Sequence, residues 1–177
     1  TQIGVETFSN CSSLSAVQLS RNLKTISHSA FYNCEELKSI SFPTGLETIG
    51  EAAFAQTALG SLSLPDTLTE LGQAAFYNIP QLKFAKIPGS LKTIPRSAFY
   101  NCYGLNAVEL QEGIEIIEES AFANTSLRSL ILPDSIIEIG DAAFQGVDYL
   151  STIQLGSNLQ LIGSKAFLLQ SDTLCSL

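Results

Sequence analysis

The residues with the most evident chemistry in this chain are four cysteines, a single histidine and two Asn-x-Ser tripeptides. Cys11, Cys34 and Cys102 follow Asn10, Asn33 and Asn101 in one recurring local pattern, and Ile79, Thr125 and Val147 fill the same place elsewhere. Exchange with apolar and small residues marks the position as core packing, since free cysteine packs like a small hydrophobe. A Cys11–Cys34 bridge lies within reach, but side chains leaving two stacked segments in parallel suit disulfide geometry poorly. Cys175 has no counterpart. With no C-x-x-C and only His28, a zinc cluster of familiar spacing cannot be assembled. His28 recurs in place as Glu51, Gln73, Arg96, Glu119, Asp141 and Ser164, which reads as a solvent-facing column. Catalysis by it would need a nucleophile or carboxylate at hydrogen-bond distance, and none stands at a matching offset. G-x-S-x-G, G-x-x-x-x-G-K and G-x-G-x-x-G are all absent. The expectation is therefore no enzyme activity, no catalytic residues, no metal and no cofactor. Asn10 in N-C-S and Asn124 in N-T-S match the glycosylation sequon, and their expected burial argues against modification.

Composition narrows the classes further. The chain has 177 residues, 45% hydrophobic and 15% charged, enough for one folded domain spanning residues 1–177. Nine Lys and Arg against 17 Asp and Glu leave a net charge of −8, which argues against a nucleic-acid partner because such affinity rests on neutralising phosphates. No apolar run is long enough to cross a bilayer, so no membrane insertion is expected in this segment. The lack of any Met suggests a piece excised from a longer protein, so a missing signal peptide carries no information.

What positions these residues is a repeat. Phe8, Phe31, Phe54, Phe76, Phe99, Phe122, Phe144 and Phe167 stand 23, 23, 22, 23, 23, 22 and 23 residues apart. Ala precedes Phe in every copy but the first, where Thr7 stands. Two residues after Phe comes a second column: Asn10, Asn33, Gln56, Asn78, Asn101, Asn124, Gly146. We expect it to form a buried ladder whose amides bond backbone groups. Leu14, Leu37, Leu59, Leu82, Leu105, Leu127 and Leu150 head a third column, and two further apolar columns follow it at alternate positions. A unit of this size cannot bury its own apolar face and must stack on its neighbours, which defines a solenoid.

The segment L-x-x-I-x-L-P, as in Leu37–Pro43, alternates like a short strand, and Pro43, Pro65, Pro88 and Pro133 close four of them. A second short extended stretch follows, as in Leu46–Gly50. Ser27, Pro95 and Glu118 share the column of Gly50, so positive φ is not required there. The A-F-x-N segment is expected to make one α or 3-10 turn. In-register stacking sets Lys24 beside Glu47, Lys86 beside Glu109 and Lys92 beside Glu115. Such cross-strand pairs are worth only ~0.2–1 kcal/mol and serve as a test of register.

The columns A-F-x-N-C-x-x-L-x-x-I-x-L-P-x-x-L-x-x-I-G resemble the BspA-like leucine-rich-repeat family over residues 3 to about 168. The resemblance implies a right-handed curved leucine-rich-repeat solenoid of seven to eight repeats of 22–23 residues, with short parallel β-strands on the concave side and short α or 3-10 turns elsewhere. It also implies a secreted or cell-surface setting, with adhesion to a host or neighbouring-cell protein. The pattern is lost after about residue 168, and no polar cap is evident at either end. Exposed ends would be sticky, so a longer parent protein, a cap outside this segment or self-association end to end is expected.

Side chains flanking the central Ile of each strand point away from the core and pave the concave sheet. These are Ala16 and Gln18, Ser39 and Ser41, Ser61 and Ser63, Phe84 and Lys86, Ala107 and Glu109, Ser129 and Ile131, Thr152 and Gln154. The expected partner-binding residues are Ser39, Ser41, Ser61, Ser63, Phe84, Lys86, Glu109, Ser129, Ile131, Thr152 and Gln154. Phe84 and Ile131 are the candidate anchors, because binding energy concentrates in a few large desolvated groups; the competing account has Phe84 filling a gap beside the small Ala85. Tyr32, Tyr77 and Tyr100 line another edge, as a recognition rim or as packing. The expected function is a non-enzymatic protein-binding module, against the alternative of a spacer or self-associating stalk.

Overall fold

The computed structural model describes residues 1–169; Cys175 lies outside them. Its strands are β1 (Gln2–Ile3), β2 (Thr25–Ile26), β3 (Thr48–Ile49), β4 (Ser61–Ser63), β5 (Glu70–Leu71), β6 (Phe84–Ile87), β7 (Thr93–Ile94), β8 (Ala107–Leu110), β9 (Ile116–Ile117), β10 (Ser129–Ile131), β11 (Glu138–Ile139), β12 (Thr152–Gln154) and β13 (Leu161–Ile162). All pair in parallel, one repeat on, giving a β-solenoid of about seven turns. Each turn, or rung, carries a two-residue rear strand, a Phe loop and then a front strand.

The eight phenylalanines form an uninterrupted internal spine. Successive ring centroids lie 5.1–5.6 Å apart with interplanar angles of 1–13°, an offset stack of the kind aromatic quadrupoles favour. The six inner rings, Phe31 to Phe144, are fully buried. Alternate N–H groups of the Phe loops donate to the next rung: Phe31 to Ala53, Phe54 to Ala75, Phe76 to Ala98, at 2.8–2.9 Å. The Ala column runs beside this ladder, and Ala53, Ala75, Ala98, Ala121 and Ala143 are fully buried.

The Phe loops hold no helix, contrary to the expected α or 3-10 turn. The loops of Phe8 to Phe144 instead have a left-handed residue at both ends, such as Ser29 (φ 50°) with Asn33 (φ 56°), and Ser97 (φ 55°) with Asn101 (φ 60°). That geometry stops helix propagation and turns N–H groups outward to the neighbouring rung. It also corrects the account of the Asn column. Asn33, Asn78, Asn101 and Asn124 are half-buried and Asn10 is exposed. Asparagine is selected there because it tolerates positive φ. Where the amides ladder, they bond one another: Asn33 Nδ2 donates to Asn10 Oδ1 at 3.0 Å, and Asn124 Nδ2 to Asn101 Oδ1 at 2.8 Å. Burial therefore does not shield the Asn10 sequon.

The front face is not one continuous sheet. Ala16 and Ser39 form an isolated bridge, β4-β6-β8 a three-stranded sheet and β10-β12 a two-stranded one. Both breaks precede a rung that is one residue shorter, with five residues rather than six from Phe54 to Leu59 and from Phe122 to Leu127. In these two rungs the cysteine column holds Thr57 and Thr125, both buried, whose hydroxyls donate to Phe54 O and Phe122 O at 2.9 Å. In the longer rung of Phe99 a backbone N–H does that work, from Cys102 to Phe99 O.

The rear sheet breaks once, between β5 and β7. Gly50, Gly72, Glu118, Gly140 and Gly163 each donate their N–H to the preceding rear strand. Pro95 stands in that column and has no N–H to give to Leu71. Just before it, a 3-10 helix over Gly89–Leu91 turns the Lys92 N–H back onto Gly89 O within its own rung. The equivalent N–H of Glu47, Thr69 and Glu115 reaches the previous rung.

Candidate functional site

The expected charge columns close as read. Lys24 Nζ lies 2.5 Å from Glu47, Lys86 Nζ 2.7 Å from Glu109 and Lys92 Nζ 2.8 Å from Glu115. The hydrogen bond to Glu109, and then its charge, raise the Lys86 pKa. A fourth pair, Arg96 to Glu119 at 3.0 Å, joins the polar column of His28. In that column Glu51 Oε2 stands 3.9 Å from His28 Nδ1, beyond hydrogen-bond distance. Both groups are exposed.

Cys11, Cys34 and Cys102 are free thiols. Cys34 and Cys102 are buried, and each Sγ donates to a carbonyl one rung back, Phe8 O and Phe76 O, at 3.1 Å. Both side chains thus lean the same way along the stack, the parallel arrangement that does not favour a bridge. Burial raises both thiol pKa values, that of Cys102 to about 12, while Cys11 is exposed. At pH 8 iodoacetamide should label Cys11 in the native protein and leave Cys34 and Cys102 unmodified until denaturant is added, as read by peptide mass spectrometry.

On the front face β4 presents Ser61 and Ser63, β6 Phe84 and Lys86, β8 Glu109, β10 Ser129 and Ile131, and β12 Thr152 and Gln154; Ser39 and Ser41 lie in the rung before β4. Register sets Phe84 between Ser61 and Ala107, and pairs Ile131 with Gln154. Phe84 is 37% exposed and Ile131 63%, while Ala85 is buried on the opposite face of its strand. Phe84 therefore does not fill the core beside Ala85. The two anchors stand two rungs and two residues apart, about 12 Å.

Two features of this flank were not read from the sequence. A groove of about 520 Å³ opens at the shortened third rung, floored by Ala58 and Gly60 and walled by Lys38 on one side and Pro80 and Lys83 on the other. Tyr103 and Tyr149 are 54% and 66% exposed beside the second shortened rung. The two deletions before Leu59 and Leu127 were the available signal. Of the other tyrosines, Tyr77 and Tyr100 stack at 5.6 Å and are half-buried. The apolar columns are buried through the middle of the array but open at its end, where Ile153, Leu155 and Leu161 are 44%, 47% and 52% exposed. Among the described residues no group of His, Cys, Asp or Glu could hold a metal ion, and no helix is long and apolar enough to cross a membrane.

A model of the BspA-type leucine-rich-repeat region, in six copies, matches residues 1–112 and 69–174. The chain belongs to the BspA-type leucine-rich-repeat family. It is similar to a leucine-rich-repeat protein from Bacteroides ovatus ATCC 8483, with TM-score 0.74 and 31% identity over 94% of this chain and 49% of that one. A leucine-rich cell surface protein from Faecalibacterium prausnitzii A2-165 superposes with TM-score 0.68 and 29% identity over 86% of this chain and 42% of that one. The pneumococcal vaccine antigen PcpA shares the fold, with TM-score 0.58 and 24% identity over 94% of this chain and 53% of that one. The chain thus spans about half the length of these solved proteins. No curated protein matches it. BspA-type repeats, like leucine-rich repeats generally, are non-enzymatic protein-interaction scaffolds.

Proposed function

We propose that this BspA-type array is a non-enzymatic recognition module of a cell-surface or secreted protein, taking a protein partner of a host or neighbouring cell across its front face. The observation that carries this reading is the exposure of Phe84 and Ile131 on a front face otherwise lined by small or polar side chains, Ser, Thr, Gln and Ala with the Lys86–Glu109 pair. Large apolar groups framed by small polar ones fit the anchor-and-rim pattern of protein interfaces. The similarity to the Faecalibacterium cell surface protein supports the setting.

A second reading, a spacer or self-associating stalk, draws on the exposed apolar end around Leu155, Leu161 and Ile162. Binding of the labelled protein to cultured epithelial cells, before and after their surface proteins are removed by protease, separates the two. The module reading expects protease-sensitive binding that falls at least about tenfold in the double variant Phe84→Asp, Ile131→Asp, with an unchanged urea midpoint. Unchanged binding by that variant, or binding that survives protease, would sink it.

A further inference from the structure

The residues after the leucines of the third column form an exterior row: Ser15, Lys38, Gly60, Lys83, Asn106, Arg128 and Ser151. Backbone bonds tie the members from Lys38 to Asn106 rung to rung, Gly60 N–H to Lys38 O at 3.1 Å, Lys83 N–H to Gly60 O at 2.9 Å and Asn106 N–H to Lys83 O at 3.2 Å, and the Ser126 N–H bond to Leu105 O at 2.9 Å sets Arg128 on the rung after Asn106. Cations occupy every second rung, and the row itself contains no acid, in a chain of net charge −8. Among the described residues Lys83 and Arg128 form no ion pair, whereas Lys24, Lys86, Lys92 and Arg96 each sit on a carboxylate of the next rung. Lys38 is held by Glu36 in an exposed pair at 2.8 Å and Glu35 also lines the groove beside it, so Lys83 and Arg128 are the cations the proposal leans on.

The spacing of these charges selects a ligand geometry. Two rungs are about 9.6 Å. In an extended β-peptide, side chains on one side recur every ~6.8 Å, which falls out of step at the second cation. A polyproline-II chain turns once in three residues at ~3.1 Å each, so one side recurs every ~9.3 Å and stays in step across all three cations. Polyproline-II segments also dock on grooves lined with aromatic side chains. Such side chains are present, since Tyr103 and Tyr149 lie on the rungs either side of Arg128. Ser126 Oγ donates to Tyr103 O at 2.7 Å and Ser151 Oγ to Arg128 O at 3.0 Å, which places the three rungs in direct succession. The groove at the third rung continues the same strip between Lys38 and Lys83.

We propose that the row Lys38, Lys83, Arg128, with its groove and its two exposed tyrosines, docks a polyproline-II segment carrying an acidic residue at every third position. This rests on the protein-partner reading above and specifies the partner's chemistry. The test measures fluorescence anisotropy of two labelled peptides of equal composition, six Pro-Pro-Glu triplets against three blocks of Pro-Pro-Pro-Pro-Glu-Glu. The periodic peptide should bind at least about tenfold tighter and lose affinity with added salt, and Lys83→Glu with Arg128→Glu should weaken it at least about tenfold while the urea midpoint stays put. Equal affinity for the two peptides, no binding of either, or indifference to the charge reversals would overturn the proposal. So would capture of polygalacturonate through Lys83 and Arg128 without peptide binding, which would make the strip an acidic-polysaccharide surface. Should the peptides fail while Phe84→Asp, Ile131→Asp still abolishes protease-sensitive cell binding, only this inference falls.

Discussion

Replacing Phe99 with alanine should cost about 3–5 kcal/mol, the upper range for deleting a buried aromatic ring. Phe99 is fully buried and stacks on both Phe76 and Phe122, with centroids at 5.4 and 5.2 Å. The cavity cannot collapse readily, because the backbone ladders on either side hold the rung spacing that the rings share. Urea denaturation is the measurement. Phe8→Ala, which removes a half-buried ring with one stacked neighbour, should cost distinctly less. Equal losses at both positions would show that the spine is not a cooperative stack.

Gly89→Ala should be the most damaging single methyl in the array. A Cβ built there would sit 1.7 Å from the carbonyl oxygen of Glu112, which is backbone and has no rotamer in which to retreat. The same column holds Thr44, Asp66, Glu112 and Asp134 in other rungs, so the constraint comes from the 3-10 helix that begins at Gly89, opposite Gly113 with its φ of 109°. Either the helix unwinds or the rungs part, a loss at or above the top of the ~1–3 kcal/mol typical of overpacking. Gly60→Ala is the matched control, since its Cβ meets nothing within 4 Å. The thermal midpoint should fall for Gly89→Ala and hardly move for Gly60→Ala; the reverse order would refute the account.

Most of the fold was legible because stacking converts sequence period directly into contact. Eight phenylalanines at near-constant spacing could only superimpose, and Lys24, Lys86 and Lys92 named their partners one repeat on. The Phe loops were misread as helical because alanine's local propensity was weighed without the left-handed residues that flank it, and positive φ at Ser29 or Ala52 leaves no mark in composition. The Asn ladder was placed too deep for the same reason: the column reports a backbone conformation, and an amide that needs burial would look identical in sequence. Pro95 was noticed only as a substitute for glycine, since its consequence is a missing N–H seen from the neighbouring strand. On the front face, Phe84 and Ile131 followed from strand alternation, while the groove did not, because a one-residue deletion specifies a gap only once the rungs above and below are fixed.

The interruptions in the two sheets have a mechanical consequence. The front sheet parts between the second and third rungs and again between the fifth and sixth, while the rear sheet parts between the fourth and fifth. They are offset like the joints in a brick wall, and the column of rings and the loop ladder run through every course. A tug along the long axis therefore meets no plane on which both faces are already open, so load passes sideways from one face to the other instead of finding a fault.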